Sequence, residues 1–279
     1  MTSLSVIIPA NNEEAWIGPC LDAMRLQEMG DAAPSREIIV AANACTDRTL
    51  QIVEQAREGL EQAGWRLVVL DIATPGKLNA LNQADAIATG RVLAYLDADV
   101  PCDPDLMRLL VQTLDTDQPL YASGQLKVAP SQSRVTHAFA RAWADLPFMT
   151  TNVPGAGLFA VNRAGRARWD RFPDIIADDG FARLHFTPNE RIKVDAAYHW
   201  PMVEGYSNLV KVRSRQDEGV RQLAALYPEL MRNESKPPMR LRDHIRLFLK
   251  MPASYAVYVA VMLAVRARKP RGHDWTRGR

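Results

Sequence analysis

The chain has 279 residues, 47% of them hydrophobic and 24% charged, a composition that excludes a disordered segment and leaves room for a sizeable core. Its three cysteines, Cys20, Cys45 and Cys102, lie too far apart for a Cys-x-x-Cys zinc site or a disulfide framework, and fit a reducing compartment. The net charge of +2 is unevenly spread: residues 232–279 hold twelve Lys or Arg against Glu234, Asp243 and Asp274, an excess of +9 that leaves −7 for the remainder.

Leu4-Ser5-Val6-Ile7-Ile8, ended by Pro9, reads as a buried strand, and no basic stretch precedes it to make a secretory leader. Asn12 is placed to cap the helix that follows, with Glu13 and Glu14 at its positive end. Trp16, Ile17, Cys20, Leu21 and Met24 then recur at helical spacing. The pattern repeats as a strand over 37–42, a helix over 46–62, a strand over 65–70, a helix over 77–88 and a strand over 91–96. Strands alternating with helices imply an α/β fold with a mostly parallel sheet covered on both faces.

Past residue 115 the alternation loosens. Residues 122–128 and 158–161 read as strands with a helix over 131–146 between them, followed by a short helix over 178–186 and a strand over 192–199. No repeat, low-complexity run or linker interrupts the chain, so it divides into one domain over 1–236 and an extension over 237–279. Within the extension, 251–265 is uncharged and flanked by Lys250 and Arg266, shorter than the roughly 17–20 apolar residues that a membrane-spanning helix needs. Tyr255 and Tyr258 with basic flanks suit a helix lying in the membrane interface, the alternative being a helix packed on the core. The basic excess points to an anionic partner, a membrane surface or nucleic acid, or to a solvated tail.

Ligands of open α/β sheets bind beyond the carboxyl ends of the strands, so the polar residues there come first. Asp97 and Asp99 follow the apolar run Val92–Leu96 and stand two residues apart, able to point to one side. Paired carboxylates call for a cation, and oxygen ligands of this kind suit Mg²⁺ or Mn²⁺ shared with substrate phosphates. A departing diphosphate gains most from such an ion. Lys77, behind Gly76 at a helix start, reads as a phosphate- or base-contacting residue or as an ordinary surface lysine. Gly155-Ala156-Gly157 flanks a strand that a substrate can approach closely. Asp178-Asp179 at a helix start provides one carboxylate to hold the helix end and one to act as a base, unless both only cap it. Neither a dinucleotide-binding glycine motif nor a P-loop is present.

These residues together resemble the family-2 glycosyltransferases of the GT-A fold, from about Leu4 to about Gln222. Val6-Ile7-Ile8-Pro9-Ala10-Asn11-Asn12-Glu13-Glu14 resembles the family's opening nucleotide-binding segment, and Glu37-Ile38-Ile39-Val40 through Asn43-Ala44-Cys45-Thr46-Asp47 its second strand and loop. Gly76-Lys77 through Ala80-Leu81-Asn82 and Leu96-Asp97-Ala98-Asp99 match the segment leading to its metal motif. Asp178-Asp179 occupies the place of its acidic pair.

The resemblance implies an inverting transfer from a nucleotide-diphosphate sugar with a divalent metal. Asp99 is then the metal ligand, Asp97 a nucleotide contact and Asp179 the base. Pro9, Ala10, Asn12 and Glu13 line the nucleoside pocket with Lys77 nearby, and Asn43, Ala98 and Asp178 complete the donor set. Ala42 stands where many members carry a base-contacting aspartate, so the nucleotide stays unassigned. The Gln-x-x-Arg-Trp motif of processive members is absent, with only Arg213-Ser214-Arg215-Gln216-Asp217-Glu218-Gly219 in that region, which favours transfer of a single sugar. His185 and His199 fall in no metal motif.

The expected acceptor is a glycan or lipid-linked precursor. The expected location is cytoplasmic, peripheral on the inner membrane face, with no nucleic acid partner. The competing readings are a sugar-phosphate nucleotidyltransferase, whose glycine-rich first loop is missing here, and a non-catalytic scaffold, which has no need of Asp97, Asp99 and Asp179.

Overall fold

The computed structural model describes residues 3–268; Lys269, Arg271, Asp274, Arg277 and Arg279 of the basic tail lie outside them. The first half runs β1 (Ser3–Ala10), α1 (Ile17–Arg25), β2 (Ser35–Asn43), α2 (Thr49–Gln55), α3 (Arg57–Gln62), β3 (Arg66–Ile72), α4 (Lys77–Ile87), β4 (Val92–Leu96) and α5 (Leu106–Leu114). The second runs β5 (Tyr121–Val128), α6 (Arg134–Ala144), α7 (Pro147–Thr151), β6 (Leu158–Asn162), α8 (Arg163–Arg166), α9 (Asp178–Leu184), β7 (Arg191–Trp200), α10 (Tyr206–Leu226), α11 (Leu241–Lys250) and α12 (Pro252–Ala267).

The strands form one seven-stranded sheet in the order 3-2-1-4-6-5-7. β1 pairs in parallel with both β2 and β4, and β2 with β3. β6 runs antiparallel to β4 and β5, while β7 is parallel to β5. The expected α/β fold with a mostly parallel sheet is therefore present, with β6 the reversed strand.

Alternation along β1 shows why both faces are covered. Leu4, Val6 and Ile8 enter the core shared with α1 and α5, whereas Ile7 enters the opposite core with Ile39, Ala41, Ala80 and Leu81. Each of these leucine, isoleucine and valine side chains contributes about 1.5–3 kcal/mol on burial. At the amino ends of the strands, the buried Glu37 accepts hydrogen bonds from Ser5 Oγ (2.6 Å) and from Thr89 N and Oγ1 (both 2.8 Å). Burial opposes its charge, but these donors and Arg66 outweigh it and lower its pKa.

Two local expectations are corrected. Asn12 does not cap the first helix: its backbone is left-handed (φ 52°), and α1 begins only at Ile17 with no side-chain cap. The helix expected over 46–62 starts at Thr49 and breaks at Ala56 into α2 and α3. The apolar run 251–265 packs on the domain as α12, where Val261 and Val265 meet Phe139 of α6 with Leu209 and Val210 of α10. No helix among the described residues is long and apolar enough to cross a membrane.

Candidate active site

In the 3-2-1-4 order the chain leaves β1 for one side of the sheet and later returns on the other. The carboxyl ends of β1 and β4 thus flank a crevice. A cleft of about 1090 Å³ opens there.

Its donor-side wall is knitted by asparagines. Asn43, buried at the end of β2, donates through Nδ2 to the Ala10 carbonyl (2.8 Å) and accepts through Oδ1 from the Gly76 amide (3.1 Å). Asn11 Nδ2 donates back to the Asn43 carbonyl (2.5 Å), and Asn12 Oδ1 accepts from the Thr46 amide (2.7 Å). The asparagine expected as a helix cap thus ties the β1 loop to the β2 loop, which its left-handed backbone permits. Asp47 bonds both loops, accepting from Thr49 N (3.0 Å), Thr49 Oγ1 (2.6 Å) and Glu14 N (3.1 Å).

The floor carries the charges. Lys77, first residue of α4, places Nζ 2.9 Å from Asp97 at the end of β4 and 2.9 Å from Asp178 at the start of α9. Burial disfavours its charge, but Asp178 and Asp97 overcome this and raise its pKa. Asp179, half-buried beside it, has its pKa raised to about 6, first by burial and then by the Asp178 charge, with Lys77 opposing. Asp97 is fixed through its backbone, whose amide donates to the Gly157 carbonyl (2.9 Å).

Gly157 has φ 78°, and a Cβ there would lie 2.6 Å from Trp200. Gly155 has φ 70°, and a Cβ would overlap the Tyr121 hydroxyl. Both glycines are demanded by packing and by left-handed backbone, and Gly157 also lines the cleft.

Pro9, Asn12, Glu13, Asn43, Lys77 and Asp178 all line the cleft, as do Asp97, Ala98, Asp99 and Asp179. Ala10 does not: it is buried beneath the wall and offers only its carbonyl to Asn43. Four carboxylates, Asp97, Asp99, Asp178 and Asp179, thus line the cleft, with the Lys77 ammonium bridging Asp97 and Asp178. Among the described residues no three His, Cys, Asp or Glu side chains form a metal cage. This donor set suits a divalent ion held by one or two carboxylates and completed by substrate phosphate, the usual Mg²⁺ arrangement.

The other half of the cleft is apolar and was not read from the sequence. Trp143 of α6 stacks on Trp200 at the end of β7 (5.5 Å between centroids), and Phe139 lies 5.6 Å from Tyr258 of α12. Met202 and Met262 complete this wall. Arg213 and Arg215 also face the cleft, Arg213 holding Gln216 (2.6 Å) and Asp217 (2.9 Å). His185 bonds the Phe181 carbonyl and His199 pairs with Asp103; neither lines the cleft.

A seven-stranded sheet in this order, with an acidic floor at the β1/β4 crevice, defines a GT-A nucleotide-sugar transferase fold. Residues 5–173 match the family model described as glycosyl transferase family 2, and the chain belongs to that family. A PGL/p-HBAD biosynthesis glycosyltransferase of Mycobacterium bovis is 34% identical over 95 residues, 34% of each chain. An uncharacterized glycosyltransferase of Nostoc is 28% identical over 113 residues, 40% of this chain and 33% of the relative. The chain therefore spans about a third of the length of these curated relatives. Among solved structures, the mannosyltransferase PcManGT of Pyrobaculum calidifontis, in complex with GDP-Man and Mn²⁺, superposes with a TM-score of 0.61 at 22% identity, covering 97% of this chain and 76% of that one. Glucosyl-3-phosphoglycerate synthase of Mycobacterium tuberculosis, with Mn²⁺ and UDP, gives 0.53 at 20% identity over 80% and 79%.

Proposed function

We propose that this protein transfers a single sugar, with inversion, from a nucleotide-diphosphate sugar to an acceptor hydroxyl, with Asp179 as the base. The observation that carries the reading is Asp179 itself: a carboxylate whose pKa is lifted toward neutrality, at the junction of a polar, acidic donor half and an apolar acceptor half of one cleft. A base of that pKa takes a proton efficiently near physiological pH.

The donor's nucleoside lies along Pro9, Asn12, Glu13 and Asn43, its diphosphate toward Asp97 and Asp99. Asp99, with Asp97 beside it, would hold Mg²⁺ or Mn²⁺. A bound divalent ion supplies neutralisation of the charge that grows on the departing diphosphate. Lys77 keeps Asp97 and Asp178 in register, so the donor-side carboxylate and the acidic pair move as one unit. Asp179 removes the acceptor proton as its oxygen bonds to the anomeric carbon from the face opposite the leaving group.

The Mn²⁺ and nucleotide complexes of the two structural neighbours support a metal and a nucleotide-sugar donor. The aromatic and methionine wall supports an acceptor with an apolar part, such as a lipid-linked or cell-surface glycan precursor. The basic C-terminal excess supports a place at the cytoplasmic membrane face, with residues 1–236 as the catalytic domain and 237–279 as its extension.

A thermal-shift panel of UDP, GDP, ADP, CDP and TDP, with and without Mn²⁺, tests the reading. One diphosphate should raise the melting temperature in a metal-dependent way, because binding to the native state stabilises it. No response to any of them would sink the donor pocket.

A further inference from the structure

The notable surface of the extension lies one helix before the apolar run picked out in the sequence. In α11, Leu241, Ile245, Phe248 and Leu249 are each between 50% and 75% exposed. Their spacing places them on one arc of about 100°. The opposite side of the helix is anchored. Leu247 is fully buried, His244 Nδ1 bonds the Tyr255 hydroxyl, and Arg246 and Lys250 hold Asp145 at 2.9 and 3.1 Å. The fold therefore holds this stripe outward. Single exposed leucines are ordinary; four contiguous apolar side chains on a fixed helix mark a surface that is covered in use.

The charges beside the stripe choose the cover. Arg242 stands at its edge and is largely exposed, and Arg240, immediately before the helix, is exposed as well. A second copy of the chain would bring these like charges together, and a nucleic acid would gain nothing from the four apolar side chains. A bilayer with anionic headgroups takes both: apolar side chains enter the headgroup–acyl boundary while arginines meet the headgroups. α11 packs on α12, whose Tyr258, Met262 and Arg266 line the cleft, and its Arg246 and Lys250 hold Asp145 between the cleft residues Trp143 and Leu146, so the helix adjoins the acceptor half of the site.

We propose that α11 is an in-plane docking helix that lays Leu241, Ile245, Phe248 and Leu249 into an anionic lipid surface and sets the acceptor half of the cleft against it. This builds on the membrane-face element of the function proposed above and is independent of the transfer chemistry.

The test is co-sedimentation of the full chain with vesicles of phosphatidylcholine alone and of phosphatidylcholine with phosphatidylglycerol. The chain should bind the anionic vesicles and release as salt rises. A variant with all four side chains changed to serine should bind more than about tenfold more weakly. Its melting temperature and its nucleotide-diphosphate response should match the parent, since all four are exposed. Undiminished binding by that variant, or equal parental binding to neutral and anionic vesicles, would overturn the proposal. So would a parental dimer that the variant abolishes without any vesicle binding, which would assign the stripe to a second copy. Failure of the nucleotide panel with intact vesicle binding would remove the transferase reading alone.

Discussion

Asp179 holds its proton more tightly than an ordinary carboxylate because protein encloses it and Asp178 stands next to it, while Lys77 and the Gly180 amide pull the other way. As a base it works ionised, so kcat/KM should climb as pH rises through about 6 and level off above. Lys77→Met removes the opposing ammonium and should move that rise to higher pH, a shift that a pH–rate profile reads directly. Asp179→Asn should lower transfer by about 10²–10⁴-fold while leaving nucleotide binding intact. Loss of nucleotide binding instead would take Asp179 out of the base role. The same raised pKa carries a stability sign. Above about 6 the folded state bears the full penalty of an ionised Asp179, and below the ordinary carboxylate range, about 4, both states are protonated and the penalty is gone. Asp179→Asn should therefore melt higher than the parent at neutral pH, the gain fading as pH falls through that window. Asp99→Ala belongs at this scale too: it should abolish the metal-dependent part of nucleotide stabilisation, and an unchanged response to Mn²⁺ would remove Asp99 as the ligand.

At the scale of elements, the turn before β6 sets the position of Asp97. The Gly157 carbonyl receives the Asp97 amide, and Gly157 combines a left-handed backbone with Trp200 at its side. Gly157→Ala should cost about 1–3 kcal/mol through strain and overpacking, and should weaken nucleotide binding because Asp97 moves with its partner. A urea midpoint and a nucleotide titration measure the two effects separately. The same segment shows what sequence patterns convey. Apolar runs closed by turn residues marked β1, β2 and β4, and Gly76 before an apolar spacing marked α4, because those signals are local. Asn12 misled, since its side chain bonds a loop 34 residues away instead of the helix beside it. α10, with only Leu209, Val210, Gly219 and Leu223 buried, carries too little apolar periodicity to stand out. α5 differs from it, since Leu106, Met107, Leu110, Val111 and Leu114 form a buried stripe at helical spacing that is legible in the sequence.

Over the whole molecule, the two halves of the cleft have different origins. The donor half comes from strand ends within the first hundred residues, so its polar motifs appear in order along the chain and point to the crevice. The acceptor half is assembled from α6, α10 and α12, whose residues meet only after folding: Phe139, Leu209, Val210, Val261 and Val265 form one buried cluster beneath the aromatic wall. No local pattern announces a contact between residues 139 and 261, which is why Trp143 and Trp200 do not stand out in the sequence and Tyr258 reads there as an interfacial residue and not as part of the cleft. The division also means that the halves can be damaged separately. Leu209 is buried at the centre of the three-helix cluster, and Leu209→Ala should cost about 2–5 kcal/mol of stability. Below its lowered melting point the variant should bind nucleotide diphosphate as the parent does, because no element of the donor wall contributes to this cluster. Its KM for the acceptor should rise, since α6 and α12 lose the packing that sets Trp143 and Tyr258. Equal loss of donor and acceptor affinity would show instead that the two walls form a single cooperative unit.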